Sequence, residues 1–175
     1  MSDPKAIILA YQEAHNNQDV DRALSLFAPN IRFEMAGIWV REGLEQQREL
    51  EEWDAALSSK LVFDNFKKRG GRTECTAIET NAWLKMAGIG TVTYESVLFE
   101  FDGDQIIRIR AKLAPKSEMA MDKAMNGVVR WALDHKLSKI EEIIPRGLFH
   151  YGKQQAEDWL VMLNDWQQQA VESED

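Results

Sequence analysis

The chain has 175 residues, enough for one domain, or one domain with an appendage, to bury roughly 70% of its unfolded surface without staples. Its 21 Lys and Arg against 29 Asp and Glu leave a net charge of −8, which repels phosphate backbones, so nucleic acid is not an expected partner. Cys75 is the single cysteine, the run AIILA is too short for a signal-peptide core, and no stretch reaches membrane-spanning length; the expectation is a cytoplasmic protein without a membrane partner.

Ser2 and Asp3 can cap a helix whose first residue is Pro4, where a missing N–H does no harm. Ile7, Ile8, Tyr11, Ala14 and His15 then recur at helical spacing. Asp19 caps a second helix with Val20, Ala23, Leu24 and Phe27 inward, stopped near Pro29. The run IRFEM alternates, with Ile31, Phe33 and Met35 on one side of a strand and Arg32 and Glu34 on the other. Gly43 opens a third helix carrying Leu50, Trp53 and Leu57 along one stripe.

Four strands follow, joined by connections too short for crossovers and so antiparallel. LVFDNF leads to Gly70-Gly71, a strand from Thr73 to Met86 leads to AGIG, and TVTYESVLFEF leads to Asp102-Gly103, a strong hairpin signal. QIIRIRAKL closes the series. From Pro115 the period becomes helical: Met121, Met125, Val128, Ala132 and His135 form one stripe, Ser138 with Glu141 a capping box, and Ala156, Trp159, Leu160, Leu163 and Trp166 a last stripe. The expected organisation is a domain over 1–114, a helical extension over 115–170 and a disordered tail over 171–175. These short amphipathic helices need a partner surface: the mouth of the first domain, its sheet, or another subunit.

Helix, helix, strand, helix and four antiparallel strands, led by YQEAHNNQDVDRALSLFAPNIRFEM and closed by FDGDQII and IRIRAKL, resemble the NTF2-like superfamily over about residues 5–113. That group includes the ketosteroid isomerases and SnoaL-like cyclases. The resemblance implies an α+β cone, in which a strongly curved antiparallel sheet wraps three helices around a deep apolar pocket for a small molecule. It also implies that the family's tyrosine is Tyr11, while the positions of its base aspartate and oxyanion-holding acid carry Met35 and Val97. A thioether cannot abstract a proton, so the isomerase dyad is absent.

Two other carboxylates can stand in, if the pocket is catalytic at all. Strand alternation puts Glu95 on the same face as Val97, and Asp54 lies one turn beyond Leu50. His15, one turn after Tyr11, can join it in a Tyr–His pair. The candidate catalytic set is Tyr11, His15, Glu95 and Asp54. The candidate ligand-binding set is Phe33, Met35, Leu50, Leu84, Val97, Ala111 and Leu113, with Trp39 and Trp53 at the mouth. Trp83 falls on the opposite, convex face with Asn81 and Cys75, a hint of an interface. No R-x-D occurs in a strand, as the limonene-epoxide-hydrolase type requires. No metal set surrounds His15, His135 or His150, no phosphate loop is present, and no cofactor is implied.

Three functions follow. The first is an isomerase, cyclase or lyase acting on an apolar carbonyl compound. The second is a non-catalytic binder using the same pocket. The third is an interaction module, a homodimer joined through the convex sheet face or the C-terminal helices.

Overall fold

Asp3 caps α1 (Pro4–Asn16), its carboxylate accepting the Lys5 N–H at 3.4 Å, and Asp19 caps α2 (Val20–Ser25) in the same way. The computed structural model describes residues 3–172. Ser2 and residues 173–175 of the expected tail lie outside the described residues, and the last helix runs on to Glu172. The second helix ends before Phe27, which opens β1 (Phe27–Met35) instead; Pro29 sits inside that strand as an exposed, non-donating position. A short strand absent from the sequence reading, β2 (Trp39–Glu42), pairs antiparallel with β1 and leads into α3 (Gly43–Ala56).

The remaining strands are β3 (Lys60–Arg69), β4 (Arg72–Thr80), β5 (Thr91–Asp102) and β6 (Gln105–Leu113). They form one six-stranded sheet in the order β2-β1-β6-β5-β4-β3, antiparallel except for the β1–β6 pair. That pair is parallel, which needs a long connection, and two helices and four strands separate β1 from β6 in the chain. Register shifts interrupt every ladder except β1–β2, and such bulges bend a sheet. The result is the α+β cone, with α1 against β3 and α3 against β1, and Ile8, Phe27, Ile31, Phe99, Ile106 and Ile109 buried between the layers.

One expected strand does not run its length. Asn81 caps a short helix, α4 (Ala82–Met86), accepting the Leu84 N–H at 2.8 Å. Gly88 and Gly90, both at positive φ, end it. Trp83, expected on the convex face, therefore turns inward: it is buried and meets Trp159 edge-on at 6.2 Å. Cys75, expected beside it, is buried in the concave wall, where burial pushes its thiol up to about 12. Neither side chain contributes to an interface on the convex face.

The C-terminal helices α5 (Pro115–His135), α6 (Leu137–Ile143) and α7 (Lys153–Glu172) pack on the cone, α7 against α3 and α4 and α5 against β5. Ser138 lies inside α6 rather than capping it, and His135 is exposed beside Trp131. Among the described residues no helix is long and apolar enough to cross a membrane. Trp159 is fully buried where α7 meets Trp83 and Phe149. Trp159→Ala should cost about 3–5 kcal/mol in urea unfolding. A loss below about 1 kcal/mol would show that α7 is not part of the cooperative unit.

Candidate active site

Bending the sheet over α1 and α3 leaves a cavity of about 210 Å³, larger than the roughly 150 Å³ apolar cavity that accommodates benzene. Its wall is chiefly aromatic and aliphatic. Phe33, Met35, Trp39, Leu50, Trp53, Leu84, Val97, Ala111 and Leu113 all line it, as do Tyr11 and Asp54. Leu84 reaches the cavity from α4 rather than from a strand.

Glu95 does not reach it. Tyr94 pairs with Leu113 and Ser96 with Lys112, so two residues of β5 oppose one of β6 and Glu95 is the extra one. The bulge resets the alternation: Tyr94 and Val97 face inward, while the Glu95 carboxylate faces water and pairs with Lys112 at 2.5 Å. Glu95→Gln should leave turnover unchanged and stability within about 0.5 kcal/mol. Steady-state rates and a melting curve check this, and loss of activity would overturn the outward placement.

His15 is not at the wall but behind it, inside a buried hydrogen-bond network. Tyr11 Oη and Gln47 Nε2 donate to Glu51 Oε1 at 2.9 and 3.2 Å. His15 Nδ1 meets Glu51 Oε2 at 3.3 Å, and His15 Nε2 meets Ser59 Oγ at 2.9 Å. Ser59 Oγ and Asn81 Nδ2 donate to Glu79 Oε1 at 3.1 and 2.9 Å, and Tyr94 Oη to Glu79 Oε2 at 2.6 Å.

Proton counting assigns the histidine. Ser59 has one hydroxyl hydrogen and directs it at Glu79, so it must accept from Nε2–H; Glu51 Oε2 must likewise accept from Nδ1–H. Both ring nitrogens then carry protons, and His15 is an imidazolium. Burial lowers its pKa, but the hydrogen bond to Glu51 and the charges of Asp54, Glu51 and Glu79 together raise it to about 9. The network also engages both tyrosines. Burial, reinforced by the adjacent carboxylates, pushes the Tyr11 and Tyr94 phenols up.

Asp54 differs from its neighbours. Its carboxyl has no hydrogen-bond partner among the described residues, and it forms part of the cavity wall. Burial raises its pKa well above the usual carboxylate value, and the His15 charge opposes that rise. His15, Glu51 and Asp54 each bring one possible ligand atom within 4.8 Å of the others, neighbours that spacing in the sequence did not disclose. Since both ring nitrogens of His15 already donate, the group reads as an acid–base cluster rather than a metal set.

Glu51, Ser59, Glu79, Tyr94, Phe149 and Tyr151 are not among the residues expected from the sequence. For Glu51 a signal exists: Gln47, Leu50, Glu51 and Asp54 share one face of α3 at i, i+3, i+4 and i+7. Phe149 and Tyr151 come from the segment between Pro145–Gly147 and α7. Tyr151 packs edge-on against Trp39 at 5.8 Å and Trp53 at 5.2 Å, with the Arg41 guanidinium 5.0 Å over its ring. The extension thus helps to build the cavity wall.

No protein-family model and no curated protein matches the chain. Solved structures do. An NTF2-like protein of unknown function from Cytophaga hutchinsonii is 15% identical, with 68% of this chain and 96% of that chain covered and a TM-score of 0.54. SalBIII, an epoxide hydrolase/cyclase-like enzyme in pyran ring formation in the polyether salinomycin, is 19% identical over 65% of this chain and 92% of that chain, with a TM-score of 0.57. A limonene-epoxide-hydrolase-like epoxide hydrolase of M. tuberculosis is 13% identical over 71% and 92%, with a TM-score of 0.55. The chain has the NTF2-like cone fold. Identities this low establish the fold alone, and this cone carries hydrolases, cyclases and proteins of unknown function alike.

Proposed function

We propose that the protein is an acid–base enzyme, an isomerase, cyclase or lyase, in which Asp54 passes a proton to the oxygen of a small apolar carbonyl compound. One observation carries this reading: a carboxyl group lines an apolar cavity and has no hydrogen-bond partner among the described residues. Asp54 is half-buried against that apolar wall, and a carboxyl held there without a partner favours its neutral form, which is a donor. The tyrosine role changes with it. Tyr11 already donates to Glu51 and Tyr94 to Glu79, so these hydroxyls hold the network in place, while Asp54 addresses the ligand.

The sign of the pH dependence follows. Activity needs the acid form of Asp54, so it persists above the ordinary carboxylate range, near pH 4, and falls as pH passes the raised value. The test is a panel of monocyclic and bicyclic ketones and enones incubated in D2O and followed by gas chromatography–mass spectrometry. The wild type should give rearranged, cyclised or cleaved product, or deuterium beside the carbonyl, with the rate falling at high pH. Unchanged product formation in Asp54→Asn contradicts the proposal. A compound bound and returned unchanged by the wild type is the result for a binding protein, the reading favoured by the engagement of both tyrosine hydroxyls.

A further inference from the structure

We infer that the cavity is built to hold positive charge, so that its ligand carries a cationic centre or acquires one as it reacts. The inference rests on the cavity being the ligand site and concerns the sign of charge that it selects.

The wall carries two carboxyl groups, Asp54 and Glu79, and no Lys, Arg or His among the described residues. The His15 imidazolium lies behind the wall with its Nδ1–H on Glu51 and Nε2–H on Ser59. Arg41, over the Tyr151 ring, is tied to Glu49 at 2.5 Å and to the Gln46 carbonyl. Glu79 receives only neutral donors, from Ser59, Asn81 and Tyr94. His15, bonded to Glu51 and with a ring nitrogen within 4.8 Å of an Asp54 oxygen, offsets part of this acid, but one imidazolium then serves three carboxyl groups, Glu51, Asp54 and Glu79, and the wall keeps an excess of acid.

An anionic intermediate is poorly served here. A developing enolate oxygen would sit among carboxyl groups, and the Tyr11 and Tyr94 hydroxyls that could hold it are engaged. A developing cation meets the opposite environment. Trp39, Trp53, Trp83, Phe33, Phe99 and Tyr151 line the same space, and aromatic faces attract cations most strongly where water is excluded. Delivery of the Asp54 proton to a ligand oxygen creates such positive character and leaves a carboxylate beside it.

The test needs no knowledge of the natural ligand. Cyclohexyltrimethylammonium and its neutral carbon isostere, tert-butylcyclohexane, share shape and size and differ in charge. Titration of each, followed by the fluorescence of the wall tryptophans, should give at least about tenfold tighter binding of the ammonium, which equals 1.4 kcal/mol. At a pH above the raised Asp54 value, where the carboxyl is ionised, Asp54→Asn should narrow that preference severalfold. Equal affinity, preference for the neutral compound, or no binding of the ammonium overturns the inference. Because the readout is binding rather than turnover, it can fail while Asp54 still proves to be the proton donor, and the reverse is equally possible.

Discussion

Asp54→Asn is expected to lower turnover by about 10²- to 10⁴-fold, the usual contribution of a positioned general acid, without loss of stability at pH 7. Asn keeps the shape of the side chain and removes the transferable proton. A simple loss of packing would produce the opposite pattern, lower stability with activity falling in step. The stability sign follows from linkage. Burial raises the Asp54 pKa in the fold, so this group weakens the folded state as pH climbs above its unfolded value near 4. Asn carries no such penalty. Rates and urea midpoints measured together separate the outcomes, and a variant that is both active and less stable would argue against Asp54 as the proton donor.

Glu51→Ala should cost about 3–5 kcal/mol of stability, because it strands a buried imidazolium. The same carboxylate satisfies Tyr11, Gln47 and His15, so three buried donors lose their acceptor at once. The pH dependence of the wild type supplies an independent check. The His15 pKa is raised in the fold from 6.5 to about 9, so its stabilisation is complete below pH 6.5 and is lost as pH rises through 9. The difference across that window is about 3 kcal/mol, from 1.36 kcal/mol per unit. Glu51→Ala should flatten the profile over this range. A wild-type stability that is constant or rising between pH 6.5 and 9 would show that His15 is neutral in the fold.

Much of the cone is legible in local chemistry. The Asp102-Gly103 turn joins β5 and β6 in antiparallel register, and the alternation in IRFEM puts Phe33 and Met35 at the cavity. What fails is phase. Alternation holds only while a strand stays regular, and the bulge at Glu95 inverts it within one residue. Counting backward from Leu84 and Met86 fails likewise, because those residues belong to α4, and the count therefore assigns Cys75 to the wrong face.

The polar network is less legible because its members are distant in sequence. Tyr11 and His15 come from α1, Gln47 and Glu51 from α3, and Ser59, Glu79 and Tyr94 from the chain beyond α3. His15 on the apolar stripe of α1, and Gln47, Glu51 and Asp54 on one face of α3, announce themselves as polar groups where a core side chain belongs. The contribution of Phe149 and Tyr151 depends on how the extension docks, and no periodicity in the segment around them records it.

The most direct measurement is an NMR titration of the Asp54 side-chain carboxyl carbon, assigned by its disappearance in Asp54→Asn. An un-ionised acid group kept in readiness against a greasy hollow should titrate well above pH 4. A midpoint at or below 4 would mean that the group is an ordinary solvated carboxylate, and the proton-donor account would not stand.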